Sequence, residues 1–298
     1  MVKTKARAPF GASLIILSSL FYASYGIWTT LIGSFLGGYT AAALRSTIVL
    51  LMLVPVAFAY KQLTVINIRR DWPYLVGLVA SALLIWGPLY YAILNAGVGL
   101  SLAINYASIV MGMFFFGWLL AKEKLTRDKW ISAGLGMTGL WLVFAPNLAT
   151  IGWIALGAAF VSGFSNAAHM VIAKKLPYNA TQCTVMVWTA SLIANVPMAL
   201  LFGERIAGGW HIEWVYVVIF AIASVAATWT FVKGLKLIDA GAAGVLGLFE
   251  IIFAVVIGAL LFGERPSLIA LGGIVVILIA AAIPYLKDYN VRRGTLGG

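Results

Sequence analysis

The chain has 298 residues, 63% of them hydrophobic and only 10% charged. A soluble domain carries about a quarter charged residues, so the polar surface that keeps a globular protein in water is missing. The net charge of +11 does not mark a nucleic-acid binder, because the bases fall in short segments between apolar runs rather than on one basic face.

Apolar runs of about 20 residues, the length that crosses a bilayer, follow one another along the whole chain. Only helices and closed barrels satisfy their backbone polar groups inside lipid, and the two-residue alternation of barrel strands is absent. The expected fold class is therefore an all-α polytopic membrane protein, in contact with the lipid bilayer along its length. The first run, Phe10 to Leu31, is too long for a signal-peptide core of roughly 7–15 residues and ends in no small-x-small cleavage site, so it is read as the first membrane helix. Breaks at charged residues, Pro and Gly predict ten transmembrane helices, at 10–31, 39–59, 72–92, 98–120, 129–145, 150–173, 181–202, 212–233, 240–262 and 266–285. The single cysteine, Cys183, excludes an internal disulfide and a cysteine metal cluster, and is expected to be a buried, inert thiol.

The bases alternate with these helices. All Lys and Arg except Arg45, Arg205 and Arg265 fall at the termini or in every second loop: Lys3, Lys5 and Arg7, then Lys61, Arg69 and Arg70, then Lys122, Lys124, Arg127 and Lys129, then Lys174 and Lys175, Lys233 and Lys236, and finally Lys287, Arg292 and Arg293. Cytoplasmic loops carry the Lys/Arg excess, which predicts that both termini are cytoplasmic in a cell inner (plasma) membrane.

Two stretches repeat. Asn95-Ala96-Gly97 opens helix four and Asp239-Ala240-Gly241 opens helix nine; Gly117 precedes Glu123-Lys124-Leu125-Thr126 as Gly258 precedes Glu264-Arg265-Pro266-Ser267. A Gly-rich helix follows each copy, with Gly134, Gly136 and Gly139 in one and Gly272 and Gly273 in the other. Five helices is an odd number, so the second copy is expected to enter the membrane inverted. The domain plan is a cytoplasmic N-terminus at 1–9, a first five-helix repeat at 10–145, a second, inverted repeat at 150–285, and a cytoplasmic tail at 286–298. Inverted repeats are the architecture of alternating-access carriers, with substrate held near the midplane between the halves.

The run Leu248-Phe249-Glu250-Ile251-Ile252-Phe253-Ala254, followed by Leu260-Leu261-Phe262-Gly263-Glu264-Arg265-Pro266-Ser267 and Gly272-Gly273, resembles the second EamA domain of the drug/metabolite transporter superfamily. The usual pattern there is Leu-Glu-Pro, and Ile251 stands where that proline is expected. In the first half Lys122-Glu123 replaces Gly-Glu, and Asn105-Tyr106 in this setting is similar to the aromatic amino acid exporters of the superfamily. The resemblance spans about residues 10–285 and implies a cavity lined by helices one, three, four, six, eight and nine.

Polar residues inside the membrane should face the bundle interior or a wet cavity. Residues spaced by three, four or seven share a helix face, which groups Ser18, Tyr22, Tyr25 and Thr29 on helix one, and Trp86 and Tyr90 on helix three. It likewise groups Ser101, Asn105 and Ser108 on helix four, Ser162, Asn166 and His169 on helix six, and Ser224 and Thr228 beside Trp229 on helix eight. The candidate substrate-binding residues are Tyr22, Trp86, Tyr90, Asn105, Tyr106, Asn166, His169, Trp229 and Glu250. Each has a structural alternative: ring packing for the aromatics, interhelical hydrogen bonding for Asn105, and snorkelling for His169. Glu250, the one acid expected near the bilayer centre, is either a hydrogen-bonding post or a proton or ammonium site, and is neutral, hydrated or paired. Arg45, about two turns inside helix two, is expected to snorkel outward. Gly134/Thr138 and Gly272/Val276 are expected to pack helices five and ten closely. Candidate flex points are Gly26, Gly87, Pro88, Gly244 and Gly247.

The expected function is export of small metabolites, neutral or aromatic amino acids foremost, by alternating access, with a multidrug or nucleotide-sugar-like transporter as the alternative. Aromatic faces suit rings and ammonium groups, and the expected lack of a buried cation argues against phosphorylated substrates. With His169 and His211 the only histidines, no catalytic or metal constellation can be assembled, so no enzyme activity, metal or cofactor is expected. No Gly-rich Lys-Ser/Thr nucleotide loop occurs, so a gradient must supply the energy. A homo-oligomer is compatible with the sequence but not indicated by it.

Overall fold

The computed structural model describes residues 8–96, 98–144, 152–204, 206, 209–262 and 265–296, and every regular element among them is helical. Gly97, Arg205 and the Gly263-Glu264 pair of the second loop signature lie outside the described residues, as do the N-terminal bases. The helices are α1 (Ala8–Ala23), α2 (Tyr25–Ile32), α3 (Gly38–Ala59), α4 (Ile68–Leu83), α5 (Trp86–Ala96), α6 (Val98–Leu119) and α7 (Arg127–Phe144). They continue as α8 (Trp153–Lys175), α9 (Ala180–Leu201), α10 (Glu213–Leu235), α11 (Ala240–Gly247), α12 (Phe249–Phe262) and α13 (Leu268–Leu296). A single 3-10 turn, Gly33–Phe35, follows α2.

Three pairs, α1/α2, α4/α5 and α11/α12, are each one rod with a break inside, so the helices form ten rods where ten helices were expected. Among the described residues, eight stretches are long and apolar enough to cross a membrane: Ala8–Ile32, Gly38–Ala59, Ile68–Ala96, Leu100–Leu119, Trp153–Lys175, Ala180–Leu201, Glu213–Leu235 and Ala240–Leu260. The apolar section Leu268–Ile283 is shorter, and the 18-residue α7 opens on three charges, Arg127, Asp128 and Lys129. The last helix continues to Leu296, beyond the expected end at 285.

Each break has a local cause or a local repair. Pro88 has no N–H to bond the Leu84 carbonyl, and its ring crowds that carbonyl; the rod accordingly breaks at Leu84–Ile85, one turn before the proline. There the Leu84 N–H turns back to Ser81 O at 3.0 Å. Ser24 closes a similar tight turn onto Phe21 O at 3.2 Å, and Leu248 onto Val245 O at 3.1 Å. No proline accounts for the last break, since Ile251 occupies that position. Gly87 itself is fixed by packing, because the Tyr39 hydroxyl occupies the place of any Cβ there.

The rods pack in a repeating pattern. The seventh lies along the second (α9 on α3) and the tenth along the fifth (α13 on α7). The first packs on the eighth (α1 on α10) as the sixth packs on the third (α8 on α4 and α5). The fourth packs on the sixth (α6 on α8) as the ninth packs on the first (α11 and α12 on α1), and α3 on α10 is matched by α4 on α9. Exchanging each of the first five rods for the one five places later maps this set of contacts onto itself.

The fifth and tenth rods touch through a different face from the one expected. Gly134 and Gly272 have open space where a Cβ would stand, whereas a Cβ on Gly139 would lie 2.7 Å from Gly273 O and one on Gly273 would lie 2.6 Å from Gly139 O. Ser132 Oγ seals the contact by donating to Ala280 O at 2.7 Å. One residue along a helix turns the face by about 100°, and both rods are apolar nearly all round, so composition did not distinguish the faces. Gly139→Leu should therefore lower stability by about 1–3 kcal/mol through overpacking, and Gly134→Leu should be neutral. Thermal unfolding followed by size-exclusion chromatography in detergent checks both.

Candidate functional site

Each of the three breaks starts a new helix whose first turn carries a polar or aromatic residue. Tyr25 opens α2, Trp86 opens α5, and Glu250 lies in the first turn of α12. Tyr106 of α6 donates its hydroxyl to Glu250 Oε1 at 2.6 Å, which ties a first-half helix to a second-half helix. Tyr22 of α1 lies 3.3 Å from Thr228 Oγ1 of α10 through its hydroxyl. Its ring meets Tyr25 edge-on at 5.1 Å and Phe231 at 6.2 Å between centroids. Tyr22 and Tyr25 both lie within electrostatic range of the Glu250 carboxyl and the Arg45 guanidinium. Of the candidates, Tyr22, Tyr106 and Glu250 thus gather in one region, and Trp86 joins it through Arg45.

The remaining candidates sit elsewhere. Asn105, 6% exposed, donates to Ser162 Oγ at 2.9 Å. Ser162 Oγ in turn donates to Ile85 O at 2.7 Å, satisfying a carbonyl beside the break in the third rod. His169, 2% exposed, pairs through Nδ1 with Ser81 Oγ at 2.8 Å and Leu78 O at 3.0 Å. Both therefore cross-link helices. Trp229 donates to Thr181 Oγ1 at 3.0 Å, and the Lys233 ammonium lies 4.4 Å above its ring centroid, a group near the basic end. Tyr90 is 48% exposed and packs over Gly38. Asn166 is half-buried, with no side-chain hydrogen bond among the described residues. Among the flex candidates, Gly26 and Gly247 have open space at the Cβ position, whereas Gly244 is pressed against Met113 Cβ at 2.9 Å.

Arg45 does not snorkel. It is 2% exposed and enclosed by four rings: Trp86 at 4.2 Å, Phe220 at 4.4 Å, Tyr25 at 5.3 Å and Trp188 at 5.4 Å from its guanidinium carbon. The reason is the face it occupies. Ala42, Arg45, Ser46, Val49 and Leu53 form the buried stripe of α3, which lies against α9 and α10, so the side chain points inward. That stripe is readable in the helix period, but a helix apolar on all sides gives no polar face to orient it. The expectation that no cation is buried is therefore overturned, and with it the ground for setting anionic substrates aside. A ring face attracts the charge but offers no acceptor to the in-plane N–H groups; Nε and Nη2 have no hydrogen-bond partner among the described residues, at a cost of about 1–3 kcal/mol for each unsatisfied group.

The basic loops meet at one end of the bundle, where a network joins the two halves. Glu123 accepts the Ala240 backbone N–H, 2.9 and 2.8 Å from its two oxygens, and pairs with Lys174 at 2.5 Å. Glu123 thereby caps the N-terminus of α11, where a carboxylate is favoured by the helix dipole. Lys129 pairs with Asp239 at 2.6 Å, Thr64 Oγ1 donates to Gln182 Oε1 at 2.8 Å, and Tyr178 donates to Asp71, which Arg70 also grips. At the opposite end Glu204 accepts the Thr40 N–H at 2.6 Å and the Tyr39 N–H at 3.3 Å. Glu123→Ala should loosen the basic end, lowering stability by about 1–3 kcal/mol and raising hydrogen exchange at Ala240 to Ala243; unchanged exchange there would contradict the capping role.

The chain has relatives among known proteins. A protein of Bacillus subtilis (strain 168) described as "Uncharacterized transporter YwfM" is 29% identical over 212 residues, which cover 66% of this chain and 67% of that protein. A solved crystal structure matches with a TM-score of 0.77 over 94% of this chain and 98% of its own, at 18% identity, a likeness of fold. The model of the EamA-like transporter family matches twice, over residues 9–145 and 153–286. The chain is a multi-pass membrane transporter and belongs to the EamA-like transporter family.

Proposed function

We propose that this transporter exports small amphiphilic metabolites, neutral or aromatic amino acids foremost, by alternating access between two inverted five-helix halves with ten membrane spans. The observation that carries the reading is the Tyr106–Glu250 hydrogen bond at the α11/α12 break, flanked by Tyr22 and Tyr25. It offers a carboxyl group to an ammonium and ring faces to an apolar side chain, on surfaces contributed by both halves. The exchange symmetry of the helix contacts and the double family match support the two-half architecture, and an inverted second half is what an odd number of spans per half requires. The gathering of Lys and Arg loops at one end supports a cytoplasmic assignment for that end and for both termini, in a cell inner membrane.

In the mechanism, the halves rock about the site. The network around Glu123 closes the basic end while the Glu204 end opens, and substrate exchange reverses the two. Glu250 accepts from Tyr106 when the site is empty and exchanges that hydroxyl for an arriving ammonium. The flex points follow the breaks at Ser24, Leu84–Ile85 and Leu248, the first and last of them beside Gly26 and Gly247.

The test is uptake of labelled L-phenylalanine, L-leucine and L-lysine into proteoliposomes, with and without a proton gradient. The wild type should show saturable uptake of the first two. Glu250→Gln and Tyr106→Phe should lower it about tenfold or more at unchanged fold, as expected for losing a hydrogen bond to a charged group. No amino-acid uptake by folded wild type would contradict the substrate assignment.

A further inference from the structure

Six buried side-chain polar atoms lack a hydrogen-bond partner among the described residues. Four of them belong to one cluster: Arg45 Nε and Nη2, Tyr25 OH and Trp188 Nε1. All four can donate, and among the described residues no Asp or Glu side chain pairs with Arg45. A buried cation without a counter-charge, surrounded by idle donors, is an arrangement that folding alone does not favour, since an unpaired buried charge is strongly destabilising. It is the arrangement that an anion would complete.

We propose that Arg45, with Tyr25 and Trp188, forms an oxyanion subsite of the transport pathway that takes the carboxylate of the substrate, the rings of Trp86 and Phe220 packing against its flat apolar part. The chemistry points to a carboxylate in particular. One guanidinium balances one negative charge, and its planar fork matches a carboxylate in two parallel hydrogen bonds; a phosphate monoester would bring a second charge with no second cation. Tyr25 and Trp86 each open a helix after a break, so motion at the breaks changes the cradle directly. This proposal rests on the transport reading and narrows it: the cargo must carry a carboxylate, and amines without one should be poor ligands.

The experiment is thermal unfolding of the purified full chain by intrinsic fluorescence, with 3-phenylpropionate, L-phenylalanine, phenethylamine and phenyl phosphate as probes. The wild type should be stabilised by the first two and not by phenethylamine. Arg45→Met should weaken carboxylate binding about tenfold or more, while its own midpoint without probe equals or exceeds that of the wild type. Tyr25→Phe keeps the ring and should cost several-fold in binding at wild-type stability. Three results would overturn the subsite: a fall in the probe-free midpoint of Arg45→Met with probe binding retained, equal stabilisation by acid and amine, or stabilisation by phenyl phosphate alone. If Arg45→Met does not yield folded protein, Tyr25→Phe decides, and unchanged carboxylate affinity in it counts against the cradle. Uptake on the same preparations separates the two claims. Amino-acid uptake without acid-over-amine preference overturns the subsite alone. Carboxylate binding that Arg45→Met loses, in a wild type that takes up no amino acid, supports the subsite and contradicts the amino-acid assignment.

Discussion

The structure turns on one constraint: inside lipid, each backbone N–H and C=O must find a partner within the protein. A helix break at membrane depth is therefore tolerated only where neighbouring helices cover it. Among the described residues there are three, at Ser24, Leu84–Ile85 and Leu248, and all three carry candidate site residues on their far side. Ser162 shows how the constraint is met, giving its hydroxyl to the Ile85 carbonyl while accepting from Asn105. Residues that look like ligands along a polar helix stripe can thus be the repair of a break.

The buried and half-buried charges divide along the same line. Glu123, Asp71 and Glu204 are each met by cations or backbone N–H groups, and they fasten the ends of the bundle. Glu250 and Arg45 are met by a tyrosine hydroxyl and by aromatic faces, and they sit where the helices are broken. The acids named at the ends have cations or backbone N–H groups as partners, and the two charges in the middle do not. That division suits the proposed carrier, with ends that latch alternately and a centre that accepts a guest.

Much of the fold was legible in the sequence because membrane helices are written as long apolar runs and their ends as charges. The ten expected helices match the ten rods to within a few residues at most ends, and the alternation of bases matches the clustering of Lys174, Lys236, Lys129 and Arg70 at one end. What was not legible was orientation about each helix axis. Where a helix is apolar on every side, period alone cannot choose a face, so Gly134 stood in for Gly139 and Arg45 was turned outward. Pairings between distant helices, such as Tyr106 with Glu250, were equally out of reach: both residues stood out by type, and only the packing brings them together.

The most direct test of the central claim, that two halves rock about a site at the helix breaks, is a pair of distance measurements by pulsed electron spin resonance. On a Cys183→Ser background, one label pair is placed at the basic end through Lys124→Cys and Pro177→Cys, and another at the opposite end through Leu94→Cys and Leu201→Cys. Adding L-phenylalanine should shift the two distance distributions in opposite senses, one end closing as the other opens. Distances that stay fixed at both ends, in protein that binds the amino acid, would contradict the account.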